Sequence, residues 1–338
     1  MPPAEPLPPP VQVFQMITGF AVSQAIFVVA RANVAEHLAA GPVAVDALAR
    51  TTGLNSAALY RVLRALASIG VFNESAPRTF ANTPLSECLR PGVPGSQHAG
   101  ALMIADLGYA SFGELEWSVA TGQPGFDKVF GAPVFDYLTA HPEVARGFDQ
   151  AMTSIHGAET PAMIAAYPFT GFGTIVDVGG GNGSTLIEVL NSAPDAAGIV
   201  FDLPGVAERT RARIQDAGLA ARCRVEGGSF FANVPKGADA YLLRHIVHDW
   251  DDAKSIAILR RCREAMAPGG KVLVVESVIP GGDEPHPGTW LDIVMLAMPG
   301  GLERTRAEFE ALLAAAGLRL TRVVPTRSPV SIVEAVAA

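Results

Sequence analysis

Asp177-Val178-Gly179-Gly180-Gly181-Asn182-Gly183 is the stretch that decides how this chain is read. Before it runs Gly173-Thr174-Ile175-Val176, a short β-branched strand, and after it Ser184-Thr185-Leu186-Ile187-Glu188-Val189-Leu190, which opens a helix. Strand, glycine-rich turn and helix bring a nucleotide-like ligand against bare backbone at a helix N-terminus. A Cβ at Gly179, Gly181 or Gly183 would obstruct either the turn or the ligand.

Downstream, strand and helix patterns alternate. Gly198–Leu203, Arg222–Glu226, Ala238–Leu243 and Lys271–Glu276 read as strands, and Leu318–Val324 and Ser331–Val336 as two more. Helices are expected over Asp252–Ala267 and Thr305–Ala315. This alternation predicts an α/β domain, a Rossmann-like open and mostly parallel sheet with helices on both faces. Ligands in such sheets lie outside the carboxyl ends of the strands, so Asp177, Asp202, Ser229, Arg244, His245, His248 and Glu276 should converge on one crevice.

Upstream, 11–100 reads as mainly helical. Val43–Ala49, the turn Thr51-Thr52-Gly53-Leu54 and the helix from Asn55 or Ser56 to Leu66 form a helix-turn-helix, and Gly70–Phe72 with Thr79–Ala81 a two-stranded wing. Arg61 and Arg64 are a poor phosphate footprint, while Leu59, Val62, Leu63 and Leu66 give the second helix to packing, so a scaffold is favoured over a DNA reader. Between them, 101–170 is helical and aromatic-rich. The expected organisation is therefore 1–100, a winged-helix-like domain; 101–170, a helical linker or lid region; and 171–338, the α/β domain that carries the glycine loop.

Composition narrows the classes. The 338 residues carry a formal charge of −8 and are 49% hydrophobic, which argues against a protein built to neutralise phosphates. Cys88, Cys223 and Cys262 form no CxxC pair, so neither a disulfide framework nor a thiolate metal site is implied, and a reducing, cytoplasmic setting fits. Met1–Pro10 lacks the basic start of a signal peptide. Val11–Ala30 is apolar, yet Gln12, Gln15, Thr18, Ser23 and Gln24 interrupt it, so a buried or dimer-interface helix is expected over a membrane span.

Two cofactors fit the glycine loop. A nicotinamide dinucleotide uses a Gly-rich turn and an acidic residue roughly 20 residues on, and Asp202 would serve either reading. Asp177, two residues before the first glycine, would repel a pyrophosphate but suit an ammonium group, and Ser184 stands at the third glycine of GxGxxG. Both favour S-adenosylmethionine.

The segment Arg244-His245-Ile246-Val247-His248-Asp249-Trp250 follows the fourth strand, which places His248 at the crevice. Methyl transfer to a hydroxyl requires removal of its proton, the work of a general base. Glu276 and Glu303 are the candidates to orient His248. His37, His98, His141, His156 and His286 are read as ordinary histidines. His245, His248 and Asp249 mimic a metal site, but no further ligand spacing supports one.

The ordered set Asp177–Gly183, Phe201-Asp202-Leu203-Pro204, Gly227-Gly228-Ser229-Phe230, His248-Asp249-Trp250, Glu276 and Gly300–Thr305 resembles the caffeate and hydroxyindole O-methyltransferase family, which includes many bacterial natural-product enzymes. Val11–Arg90 is similar to its winged-helix-like dimerisation domain. The resemblance implies that His248 is the base, flanked by Glu276 and Glu303. It implies that Gly179, Asp202, Ser229, Phe230 and Arg244 line the cofactor site, beside Asp177, Gly181 and Gly183 of the loop. It further implies that Phe148, Met152, Met295 and Met298 face an aromatic acceptor, and that N-terminal helices interlock in a homodimer. Ser229 stands where many members have Asp, Arg244 where Lys is frequent, and Met298 where some plant members have Asn, so plant phenylpropanoid specificity does not carry over.

The expected function is S-adenosylmethionine-dependent O-methylation, without a metal, of a phenolic hydroxyl on an aromatic or polyketide-like small molecule. No nucleic acid or membrane partner is expected. The rival readings are C- or N-methylation, a non-methyl step on the same scaffold, and a cofactor-sensing winged-helix regulator.

Overall fold

The alternating pattern of the second half closes into one seven-stranded sheet. The computed structural model describes residues 7–338, and its strands are β1 (Val43–Ala44), β2 (Phe72–Ala76), β3 (Thr79–Asn82), β4 (Thr174–Val178), β5 (Ala197–Asp202), β6 (Cys223–Gly227), β7 (Ala240–Arg244), β8 (Lys271–Glu276), β9 (Val278–Ile279), β10 (Arg304–Thr305), β11 (Leu318–Pro325) and β12 (Ser331–Ala337). The large sheet has the order β11-β12-β8-β7-β4-β5-β6. Pairings from β8 through β7, β4 and β5 to β6 are parallel, whereas β12 runs antiparallel to both β8 and β11.

Why these strands read as unbroken apolar runs is clear from the two layers that cover them. Val176, Leu243 and Val274 enter one buried cluster, Ile175, Leu242 and Val275 the other. Side chains alternate across a strand, so a strand covered on both faces must be apolar at every position. The helices Ser184–Ser192, Pro204–Asp216, Asp252–Ala265 and Arg306–Ala315 supply the covering layers. Their caps are local: Asp251 accepts from the Lys254 N–H, and Thr305 with Glu308 forms a reciprocal capping box.

The topology fixes where a ligand belongs. β4 lies between β5 and β7, so the connections from its two neighbours leave in opposite directions and open a crevice at the strands' carboxyl ends. The glycine loop follows β4, Asp202 ends β5 and Arg244 ends β7. Two short strands were not expected: β9 and β10 pair in parallel and anchor the chain on either side of the 280–303 excursion.

Contacts divide the described residues into two units, one of 7–106 with 150–155 and one of 107–149 with 156–338. The division differs from the expected three regions, because most of 101–170 clusters with the large sheet. In the first unit the helices Val45–Thr52 and Ser56–Ser68 and the sheet β1-β3-β2 surround a core of Leu48, Leu59, Leu63, Leu66, Phe72 and Phe80. Asn55 caps the second helix, its side chain accepting from the Ala58 N–H. The apolar N-terminal run folds as the helices Pro9–Ile17 and Phe20–Arg31. Pro9–Arg31 is long and apolar enough to cross a membrane, with a mean hydropathy of 1.8. Phe14, Met16, Ile17 and Phe20 are all more than half exposed in the single chain.

Candidate active site

The loop Gly179–Gly183 is shaped by its backbone. Gly179 has φ +71°, and a Cβ there would stand 2.4 Å from Ile246 Cδ1, so a side chain is barred both by conformation and by the loop after β7. Gly181, at φ +56°, has open space where its Cβ would be. Gly183 precedes the helix Ser184–Ser192 with φ +76° and offers no capping side chain. Asp202 secures the loop from β5: one carboxylate oxygen accepts from the Gly181 N–H at 2.8 Å, the other from the Leu203 N–H at 2.6 Å. Each oxygen keeps a further lone pair for a ligand hydroxyl.

Asp177 lies beneath the loop, 2% exposed, and its Oδ2 is buried with no hydrogen-bond partner. Burial raises its pKa to about 7, with Arg244 pulling down and Asp202 pushing up. A buried, unpartnered carboxylate oxygen beside an uncapped helix start fits a ligand that brings a cationic or hydroxylated group, as S-adenosylmethionine does. Phe230 comes within 3.7 Å of where a Gly179 Cβ would stand and meets Phe231 and Trp250 edge to face. Ser229 is half-buried, and its hydroxyl accepts from the Phe231 N–H at 3.4 Å.

Arg244 is engaged by protein groups. Its guanidinium donates to the hydroxyls of Thr160 and Thr185 and to the His156 carbonyl, and lies 3.7 Å from Glu159. It thereby ties the end of β7 to the helix after the glycine loop.

The base candidate stands on a short 3₁₀ turn, Val247–Asp249, directly after β7. His248 is 4% exposed. Its Nδ1 lies 2.6 Å from Glu303 Oε1, and its Nε2 lies 3.6 Å from Asp249 Oδ1. A carboxylate on Nδ1 selects the tautomer that leaves the Nε2 lone pair free for an incoming proton. Burial alone would pull the imidazole pKa down, but Asp249, the hydrogen bond and charge of Glu303, and Glu276 outweigh it and raise it to about 10.

Glu276 sits elsewhere than beside the ring. Its Oε1 accepts from the backbone N–H groups of Ile246, Val247 and His248 at 3.1, 2.6 and 3.1 Å. It fixes the loop that carries the imidazole, not the imidazole. Its Oε2 is buried and unpartnered, and burial pushes the carboxyl up to about 7.

Two supports of this loop had no assigned role. Arg304, 1% exposed, donates to the carbonyls of Val247, Trp250 and Leu302 and to Asp252. Gly301 passes so close to the loop that a Cβ would stand 1.9 Å from the His248 carbonyl oxygen. The following Leu302 N–H donates to that oxygen at 2.9 Å. Asp292 holds Glu303 in place by accepting its N–H at 2.8 Å. Arg304 and Gly301 were visible in the Gly300–Thr305 block, but what each touches was not.

The remaining candidates divide. Met295 and Met298 are buried at the end of the helix Pro287–Ala297, just before Gly300. Phe148 and Met152 are half-buried on the helix Pro142–His156, and Met152 belongs to the other unit. His156 and His245, read as an ordinary histidine and a metal mimic with His248 and Asp249, instead both bond to Glu159.

Comparison with known proteins is consistent across the whole chain. The profile described as the O-methyltransferase domain matches residues 112–319, and that of the O-methyltransferase dimerisation domain matches 14–91. A phenazine O-methyltransferase from Lysobacter antibioticus is 45% identical, over 96% of this chain and 95% of that protein. The crystal structure of LaPhzM superposes with a TM-score of 0.95 at 44% identity, covering 98% of this chain and 100% of that one. An O-methyltransferase from neocarzinostatin biosynthesis, solved with S-adenosylmethionine and 2-hydroxy-5-methyl naphthoic acid, has a TM-score of 0.83 at 36% identity, covering 94% and 96%.

Proposed function

Within the S-adenosylmethionine-dependent O-methyltransferase family, to which this chain belongs, we propose that it methylates a phenolic hydroxyl of a planar aromatic natural product, with His248 as general base. The observation that carries this reading is the buried His248–Glu303 pair, Nδ1 to Oε1 2.6 Å, at the mouth of the crevice that begins with the glycine loop. Asp177, Gly179, Gly181, Gly183, Asp202, Ser229 and Phe230 would hold the cofactor, with Arg244 bracing that wall. The cofactor, when bound, supplies a methyl group on a positively charged sulfur.

The chain's own contribution is orientation and proton removal. Nδ1 of His248 is committed to Glu303, so Nε2 faces the acceptor hydroxyl and takes its proton. A phenol titrates at about 10, and the imidazolium of His248 is raised to about 10. The transfer is then close to thermoneutral, where unperturbed groups would leave it uphill by roughly 5 kcal/mol. Glu303 stabilises the imidazolium that forms, and Glu276 and Arg304 keep the loop from yielding. Bringing acceptor oxygen and methyl donor together in one buried crevice supplies much of the acceleration.

The acceptor class rests on two supports. Met295 and Met298 are buried just before the Gly300–Glu303 segment, and apolar, polarisable side chains suit a flat ring system. The relatives named above act on a phenazine or were solved with a naphthoic acid. We assign the exposed face of Phe14, Met16, Ile17 and Phe20, inside the dimerisation match, to the interface of a cytoplasmic homodimer rather than to a membrane or nucleic acid. The test is incubation of the dimer with labelled S-adenosylmethionine and a panel of hydroxylated phenazines, naphthoates and aminohydroxybenzoates. An O-methyl ether identified by mass and NMR is expected; a C- or N-methylated product from every accepted substrate contradicts the reading.

A further inference from the structure

At the end of β7, beside the loop that carries His248, three donor-bearing side chains meet. His156 ends the helix Pro142–His156, Glu159 opens the helix Glu159–Ala166, and His245 follows β7. Glu159 Oε2 lies 2.7 Å from His245 Nε2, and Oε1 lies 3.1 Å from His156 Nδ1. The two imidazole rings face each other with centroids 3.9 Å apart. One ligand atom from each residue falls within 4.8 Å of the others. The reaction outlined above uses none of the three.

Two features set the cluster apart from an ordinary hydrogen-bonded histidine pair. His245 holds φ +53°, and among the described residues only Asn33 and Arg78 share a positive φ without being glycine. Such a conformation is strained for a residue with a side chain and persists where the surroundings enforce it. The second feature is its Nδ1, which is buried without a partner.

We propose that His156, Glu159 and His245 form a binding site for a divalent transition-metal ion of the zinc or cobalt class. Two imidazole nitrogens and one carboxylate, with a fourth position left to water, are a donor set zinc accepts in open sites. Ligands at about 2.0–2.1 Å in a tetrahedron stand roughly 3.3 Å apart; each imidazole nitrogen already faces an oxygen of Glu159, at 2.7 and 3.1 Å, and the three donors fall within 4.8 Å of one another, so closing on an ion asks for side-chain adjustment and no backbone rearrangement. Entry of the ion is a tautomer change: each ring moves its proton from the nitrogen that now faces Glu159 to its other nitrogen, and the freed lone pair ligates. Burial and the neighbouring His156 hold the His245 pKa down to about 3, so its ring is neutral, and the partners of Glu159 keep its carboxyl below the usual range. Both are thus in the protonation state that binds metal. Arg244, 3.7 Å from the same Glu159 oxygen, opposes the added charge. The ion is therefore bound reversibly and is not a structural element.

The test is titration of the tag-free, metal-stripped full-length protein with cobalt(II), read by its visible d–d absorption and followed by displacement with zinc. One ion per chain with the intense spectrum of a four-coordinate site is expected. His156→Phe, Glu159→Gln and His245→Asn, the last chosen because Asn tolerates positive φ, should each weaken cobalt binding by about 100-fold or more. His248→Gln should leave it within about threefold. Failure of the parent protein to bind cobalt at millimolar concentration overturns the proposal without any variant. So does parental affinity in those of the three cluster variants that fold by circular dichroism, or loss of binding in His248→Gln alone.

Discussion

Glu276 and His248 are joined through the backbone: Glu276 Oε1 accepts the His248 N–H at 3.1 Å together with those of Ile246 and Val247, while the imidazole is held by Glu303. Two carboxylates that look equivalent in the sequence therefore have different work. One shapes the loop through its backbone and the other bonds directly to the ring it carries.

Replacement of Glu276 separates these roles. Glu276→Ala strands the N–H groups of Ile246, Val247 and His248, the last two buried, and a buried orphan costs about 1–3 kcal/mol, so denaturant unfolding should show a loss of roughly 2 kcal/mol or more. Glu276→Gln keeps an acceptor oxygen and should fold well, with turnover within about tenfold of the parent. A Glu276→Gln enzyme as impaired as a His248 variant would mean that the carboxylate acts on the chemistry directly.

The raised pKa of His248 has a readable sign. The neutral ring is the base, and with a folded-state value of about 10 its share grows about tenfold per pH unit between pH 7 and 9. Log kcat/KM should climb with unit slope over that range. A histidine at its ordinary value near 6.5 would give a flat profile there. In the same linkage, the interactions that raise the pKa stabilise the fold fully below about 6.5 and lose their effect as pH passes about 10.

Glu303→Gln removes the charge that stabilises the imidazolium while keeping the shape. Turnover should fall on the order of 10²-fold, and the rising limb of the pH profile should move toward lower pH. An unshifted limb would assign the proton affinity to Asp249, 3.6 Å from Nε2.

Arg304 is the mechanical counterpart. Arg304→Met removes the guanidinium that donates to the Val247 and Trp250 carbonyls, leaving them the Ser255 hydroxyl alone, and should cost about 1–3 kcal/mol. The expected kinetic signature is a lower kcat at nearly unchanged cofactor affinity, measured by calorimetry alongside turnover. Weakened cofactor binding instead would mean that Arg304 supports the glycine loop.

What the sequence revealed followed from range. The glycine loop, the alternating strands and the helix caps are local patterns, and apolar runs such as Leu242-Leu243 announce a strand covered on both faces. The convergence of Asp177, Asp202, Arg244 and His248 came from one topological rule about strand ends. Lost were facts about which atom meets which. Nothing in the spacing says that Glu276 turns to the backbone, that Arg304 reaches across to the loop of Trp250, or that Gly301 must be bare because the His248 carbonyl passes it. Similarly, His156, Glu159 and His245 come from two separated segments, and the sequence groups His245 with its neighbours His248 and Asp249 instead.

The most direct test of the central claim is His248→Gln assayed two ways, by calorimetric titration with S-adenosylmethionine and by turnover on an accepted phenol. The account predicts cofactor affinity within about threefold of the parent and turnover lower by roughly 10²–10⁴-fold. Turnover equal to the parent's would contradict it and remove His248 from the chemistry.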